Sequence, residues 1–155
     1  MTTPPDYVYQ VVINASPQAV WRGLTTAEFT RQYWHRTEVT SEFREGSAIQ
    51  FLNERGDVVC EGEVFTAIPN RELSFSWSFP KNPAVNAEQP SRVTFRIEAL
   101  DEGTRLTVVH DRFPPESVVR DMVAEGWPLV ICGLKTLLET GSAVDFTAAM
   151  QGETR

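Results

Sequence analysis

Apolar and polar positions alternate one by one through much of this chain, most clearly in Glu72 to Phe79. There Leu73, Phe75, Trp77 and Phe79 share one face, and Glu72, Ser74, Ser76 and Ser78 share the other, the period of a half-buried strand. The same period marks Asp6 to Ile13, Arg36 to Phe43, Ala48 to Asn53, Val58 to Ile68, the run around Val93, Phe95 and Ile97, and Thr104 to His110. Glu45-Gly46, Arg55-Gly56-Asp57 and Asp101-Glu102-Gly103 supply the turns between them, and Pro80 to Pro90 reads as a polar loop.

Two interruptions are helical. After Asn14-Ala15, Ser16 can cap a helix with Pro17 in its first turn, and Val20, Trp21 and Leu24 give it an apolar face. A second short helix is expected over Ala27 to Tyr33. Near the C-terminus, Val130, Leu134, Leu137 and Leu138 recur at spacings of three and four, with Gly141 placed to cap the end. This helix is expected to begin near Gly126-Trp127-Pro128, because proline is tolerated in a first turn and not inside; Glu116 to Glu125 is expected to form only a turn or two. The pattern predicts an α+β domain in which an antiparallel sheet of about six or seven strands curls around one long C-terminal helix. A single domain is expected over residues 1–155, with an ordered core over about 6–141 and a loose tail from Ser142.

Composition narrows the partners. The formal charge of -7 would repel a phosphate backbone, so nucleic acid is an unsuitable partner. No apolar run reaches about eighteen residues, and the N-terminus lacks the basic start and apolar stretch of a signal peptide, so no membrane insertion and a cytoplasmic location are expected. Cys60 and Cys132 stand in unrelated contexts and are read as small core residues. His35 and His110 are the only histidines, with no ligand-spaced cluster around either, so no metal site and no cofactor are expected.

Gly126-Trp127-Pro128 followed by Gly133-Leu134-Lys135-Thr136-Leu137-Leu138-Glu139 resembles the last helix of the family related to the activator of Hsp90 ATPase, within the START-like (SRPBCC), helix-grip superfamily. Ala15-Ser16-Pro17 with Val20-Trp21 and Leu24-Thr25, Gly62-Glu63-Val64 with Pro69, Leu73 and Trp77, and Thr104 to His110 are similar in the same order. The resemblance implies a helix-grip fold. It implies no single activity, since lipid carriers, polyketide cyclases, hormone receptors and co-chaperone domains share that scaffold. The eukaryotic activator is resembled in its C-terminal half only, and its additional N-terminal domain, which engages the chaperone, is expected to be lacking here.

A sheet that curls around a helix leaves an apolar space, and the residues expected to line it are Trp34, Trp77, Phe79, Phe95, Val108, His110, Trp127, Val130 and Leu134. His110, an imidazole on an apolar strand face, is the one weak catalytic candidate; it could bond a ligand, exchange protons near neutral pH, or simply pair with its neighbours. Glu61 and Glu63 fall on the face opposite Cys60 and Val64 and are expected outside the cavity. Ser117 with His110 and Asp111 holds the residue types of a triad but no strained turn to present the serine. The favoured reading is a binding domain for a small hydrophobic or amphipathic ligand. A cyclase or hydrolase type enzyme stays open beside it. So does a protein-interaction module, whose partner would be a chaperone or a second copy of the chain in a homodimer, hinted at by the outward position of Phe65.

Overall fold

The computed structural model describes residues 4–147. Strand β1 (Tyr7–Ile13) leads into helices α1 (Pro17–Thr25) and α2 (Ala27–Tyr33). Strands β2 (Glu38–Ser41), β3 (Ala48–Leu52), β4 (Val58–Ile68), β5 (Glu72–Trp77), β6 (Ser91–Ala99) and β7 (Thr104–Asp111) follow, and helix α3 (Val118–Thr140) closes the fold. All pairings are antiparallel, and the seven strands form one sheet in the order β1-β7-β6-β5-β4-β3-β2. The chain adopts the α+β architecture that its periodicity predicts and the helix-grip arrangement that the resemblance implies.

Strand β4 belongs to both halves of the sheet, pairing β3 along its first part and β5 along its last. Gly62 sits at the changeover. A Cβ there would lie 1.8 Å from the Ser76 carbonyl oxygen, so only glycine lets the two backbones approach this closely.

Alternation along the strands becomes burial on the concave face. Ile49, Phe51, Val64, Leu73, Phe75, Val93, Phe95, Leu106 and Val108 are buried there, with Val130, Ile131, Leu134 and Leu137 of α3 above them. Each such side chain contributes about 1.5–3 kcal/mol of transfer free energy. Helix α1 begins as expected: the Ser16 hydroxyl accepts from Ala19 N at 3.1 Å and Pro17 occupies the first turn.

Three expectations are corrected. Helix α3 begins at Val118, not near Gly126, and Pro128 lies inside it. A proline in a helix interior costs about 3 kcal/mol, because its missing N–H leaves one carbonyl unbonded. Here the first turns are secured by other means. The Ser117 hydroxyl accepts from Arg120 N at 3.0 Å, the Glu88 carboxylate accepts from Val118 N and Val119 N, and Val119, Val123 and Trp127 are buried along the helix ahead of Pro128. Second, the segment after Ser142 is docked as far as it is described. His35 N donates to the Thr147 hydroxyl at 3.1 Å, Thr147 is fully buried, and the Asp145 carboxylate lies 3.6 Å from the Arg36 guanidinium. The rest of that tail, residues 148–155, lies outside the described residues. Third, the convex face is not wet throughout. Ser74 and Thr94 are buried and hydrogen-bonded to each other at 3.0 Å, in a shallow polar groove flanked by Phe65, Arg92 and Arg112.

No helix among the described residues is long and apolar enough to cross a membrane.

Candidate functional site

Helix α3 packs against β1 and α2, and this leaves its N-terminal half standing off the β3–β4 side of the sheet. The space is a cleft of about 880 Å³. Its inner walls come from five elements: Trp34 at the end of α2, Phe51 of β3, Cys60 of β4, Trp77 of β5, and Gly126, Trp127 and Val130 of α3. All of these side chains are buried as residues, so the walls are apolar and largely aromatic. Trp34 lies 4.6 Å from the Phe51 ring and 5.5 Å from the Trp127 ring, centre to centre, and Trp77 lies 5.6 Å from Trp127. Such ring pairs add about 0.5–1.5 kcal/mol each beyond their burial, which holds the walls in place.

The rim is polar and balanced in charge. Arg55 and Asp57 from the β3–β4 turn, Lys81 from the β5–β6 loop and Glu125 from α3 are exposed around the opening, with Phe79 half-buried just inside. The β5–β6 loop is fastened at two points beyond the part that reaches the opening. Val85 is buried, and Glu88 receives hydrogen bonds from the Ser117 hydroxyl at 2.6 Å and from Val118 N at 2.8 Å, a carboxylate on the positive end of α3.

Of the residues expected to line the cavity, the structure brings Trp34, Trp77, Phe79, Trp127 and Val130 together on the cleft. Phe95, Val108, His110 and Leu134 point inward as their alternation predicts but are fully buried in the packed core beneath it. Trp127 of α3 lies over two of them, 5.6 Å from the Phe95 ring and hydrogen-bonded to His110.

His110 lies in the core, with both ring nitrogens engaged. Trp127 Nε1 donates to its Nδ1 at 3.1 Å, and Nε2 lies 2.6 Å from the Ser91 hydroxyl. An indole N–H can only donate, so Nδ1 must be the bare nitrogen and Nε2 carries the proton towards Ser91. Burial pushes the ring's pKa down to about 3, with the nearby Asp111 opposing only in part. The ring is neutral at physiological pH and does not face the cleft. The triad residue types are also dispersed: Ser117 caps α3, and Asp111 forms a two-pronged pair with Arg92 at 2.9 and 2.5 Å. The Cys60 thiol on the cleft wall is pushed up by burial, which keeps it protonated and inert. Cys132, expected in the core, is only half-buried, its sulfur 4.0 Å from the Tyr9 hydroxyl. Among the described residues no group of three or more His, Cys, Asp or Glu side chains is arranged to hold a metal ion.

Several site residues escaped the sequence pattern. Phe51 follows Ile49 at a spacing of two, so its alternation carried the signal. Arg55, Asp57 and Lys81 sit in turns, where no period says which way a side chain points. Met122 belongs to the stretch before Gly126, where only a turn or two of helix is expected from the sequence.

A sheet gripping a long helix with an apolar cleft beside it defines a START-like, SRPBCC-fold protein. More narrowly, the sequence pattern of the activator of Hsp90 ATPase homolog 1-like proteins matches residues 14–139, and the chain belongs to that family. No curated protein matches the chain. Among solved structures it is similar to a protein from Mesorhizobium loti, with 24% identity and a TM-score of 0.75 over 89% of this chain and 99% of that one. It is similar to the Aha1 dimer from Colwellia psychrerythraea, with 19% identity and a TM-score of 0.73 over 90% of this chain and 100% of that one. It is also similar to an Hsp90 activator from Plasmodium falciparum, with 16% identity and a TM-score of 0.72 over 87% of this chain and 96% of that one. At these identities the likeness is one of fold.

Proposed function

We propose that this protein binds a small hydrophobic or amphipathic molecule in the cleft between the N-terminal half of α3 and strands β3 to β5. The observation that carries this reading is the cleft of about 880 Å³ whose inner walls are Trp34, Phe51, Trp77, Trp127 and Val130 while its charged groups stay at the rim. That is the form of a small-molecule site: apolar walls, few polar groups, a volume within the range of about 300–1,000 Å³. Acid–base catalysis at His110 has less support, because both ring nitrogens are engaged and the ring lies below the cleft floor. The interaction-module reading loses its hint as well, since the Arg112 guanidinium stands 5.7 Å over the outward Phe65 ring and covers it from within the chain.

Native mass spectrometry of protein purified gently from its own host tests the proposal. A co-purifying small molecule that leaves on denaturation is expected. Protein at its bare mass, with tryptophan fluorescence unmoved by a panel of small hydrophobic compounds, would overturn it.

A further inference from the structure

One wall of the cleft carries a hydrogen-bond donor with nothing to bond. Among the described residues, two buried side-chain polar atoms lack a hydrogen-bond partner: Asp145 Oδ2 and Trp77 Nε1. The first still has the Arg36 guanidinium at 3.6 Å. The second has no hydrogen-bond partner, although Trp77 is only 6% exposed and the equivalent group of Trp127 has found His110. A buried N–H without an acceptor is destabilising, and such groups are rare enough in folded proteins that each calls for a cause.

Resting on the cleft-binding reading, we propose that the ligand of this cleft is an uncharged aromatic or alicyclic molecule bearing a carbonyl-type oxygen, and that this oxygen accepts the Trp77 Nε1–H. The acceptor must be neutral, because the inner walls hold no cation, and Arg55 and Lys81 at the rim are offset by Asp57 and Glu125. The molecule must be largely apolar, because Trp34, Phe51, Trp127 and Val130 surround the remaining volume. The indole nitrogen is shielded from solvent, so a neighbour has to move to admit the oxygen. Six rings surround Trp77; Trp34, Phe51, Phe75, His110 and Trp127 are buried, and Phe79 alone is half-exposed. Phe79 packs edge-on against Trp77 at 5.6 Å and, as the least buried of the six, is the ring whose outward rotation would admit the oxygen.

Acetophenone and ethylbenzene, alike in shape and differing in the carbonyl, test this by NMR titration of the native chain and of Trp77→Phe. The ratio of the two affinities is expected to fall about tenfold in favour of ethylbenzene when the indole is removed, a change of about 1.4 kcal/mol. In the native chain, the Trp77 indole proton is expected to shift downfield with acetophenone and not with ethylbenzene, a readout that survives if the variant does not fold. Benzoate is expected to bind at least about tenfold more weakly than acetophenone. An unchanged affinity ratio in a folded Trp77→Phe, or an indole proton indifferent to the carbonyl, would overturn the proposal while leaving the cleft a binding site. Benzoate binding tighter than acetophenone would overturn the neutral acceptor. Binding of no probe at all would overturn both this inference and the cleft reading beneath it.

Discussion

His110 shows how one polar side chain can sit inside an aromatic core. Its two nitrogens meet one donor and one acceptor, so the neutral ring is fully satisfied, and a proton added at Nδ1 would break the Trp127 bond and bury a charge. The folded-state pKa of about 3 lies below the ordinary value of 6.5. The sign of the consequence follows from linkage: below about 6.5 the unfolded chain takes up a proton that the folded chain refuses until about pH 3. Stability contributed by this group is full above pH 6.5 and is lost as pH falls towards 3, at up to about 1.4 kcal/mol per pH unit. Burial also lowers the pKa of His35, so the two histidines act in the same direction. Denaturant unfolding of the native chain and of His110→Gln between pH 7 and about 4 isolates the first. The variant, which can accept from Trp127 and donate to Ser91, is expected to show the shallower loss. An identical slope would mean that the folded protein admits the proton.

At the scale of elements, α3 is the informative piece. It runs through Pro128 for 23 residues and ends where Gly141, at φ 78, takes the left-handed conformation that caps a helix. Restoring the missing backbone bond should therefore help. Pro128→Ala is expected to raise stability by about 1–3 kcal/mol, read as a higher denaturant midpoint with an unchanged slope. A destabilised variant would show that the proline ring itself packs against the partly buried surroundings of Trp127. Strand β4 makes the complementary point, because its passage from one half of the sheet to the other depends on the absent side chain of Gly62.

For the molecule as a whole, the cleft exists because α3 rests on β1 and α2 at one end and stands clear of β3 and β4 at the other. Gly126 faces that clearance. A Cβ added there meets nothing within 4 Å, unlike one at Gly23, which would meet Leu134 at 2.6 Å, or at Gly133, which would meet Tyr33 at 2.8 Å. Gly126→Leu is therefore expected to stabilise the helix, since glycine inside a helix costs about 0.5–1 kcal/mol, and at the same time to fill the cleft. Circular dichroism should show an unchanged fold and a raised midpoint, while any small molecule that travels with the native protein should be lost. Retention of that molecule in a folded Gly126→Leu would place its site elsewhere.

Local alternation and helical spacing determined the succession of strands along the chain, the two short helices, the α+β architecture and the inward direction of Trp77, Phe95, Val108 and His110, because both periods are properties of a few consecutive residues. What the chain could not disclose locally was depth. Whether an inward residue meets a wall or an opening depends on how far α3 stands from each strand, and that is decided by contacts between residues distant in sequence. So Trp77 borders the cleft while Phe95 and His110, on neighbouring strands of the same face, lie beneath it. The start of α3 was hidden for a similar reason: the Glu88 carboxylate that secures its first turn comes from a loop about thirty residues earlier, and no local rule about proline could foresee it.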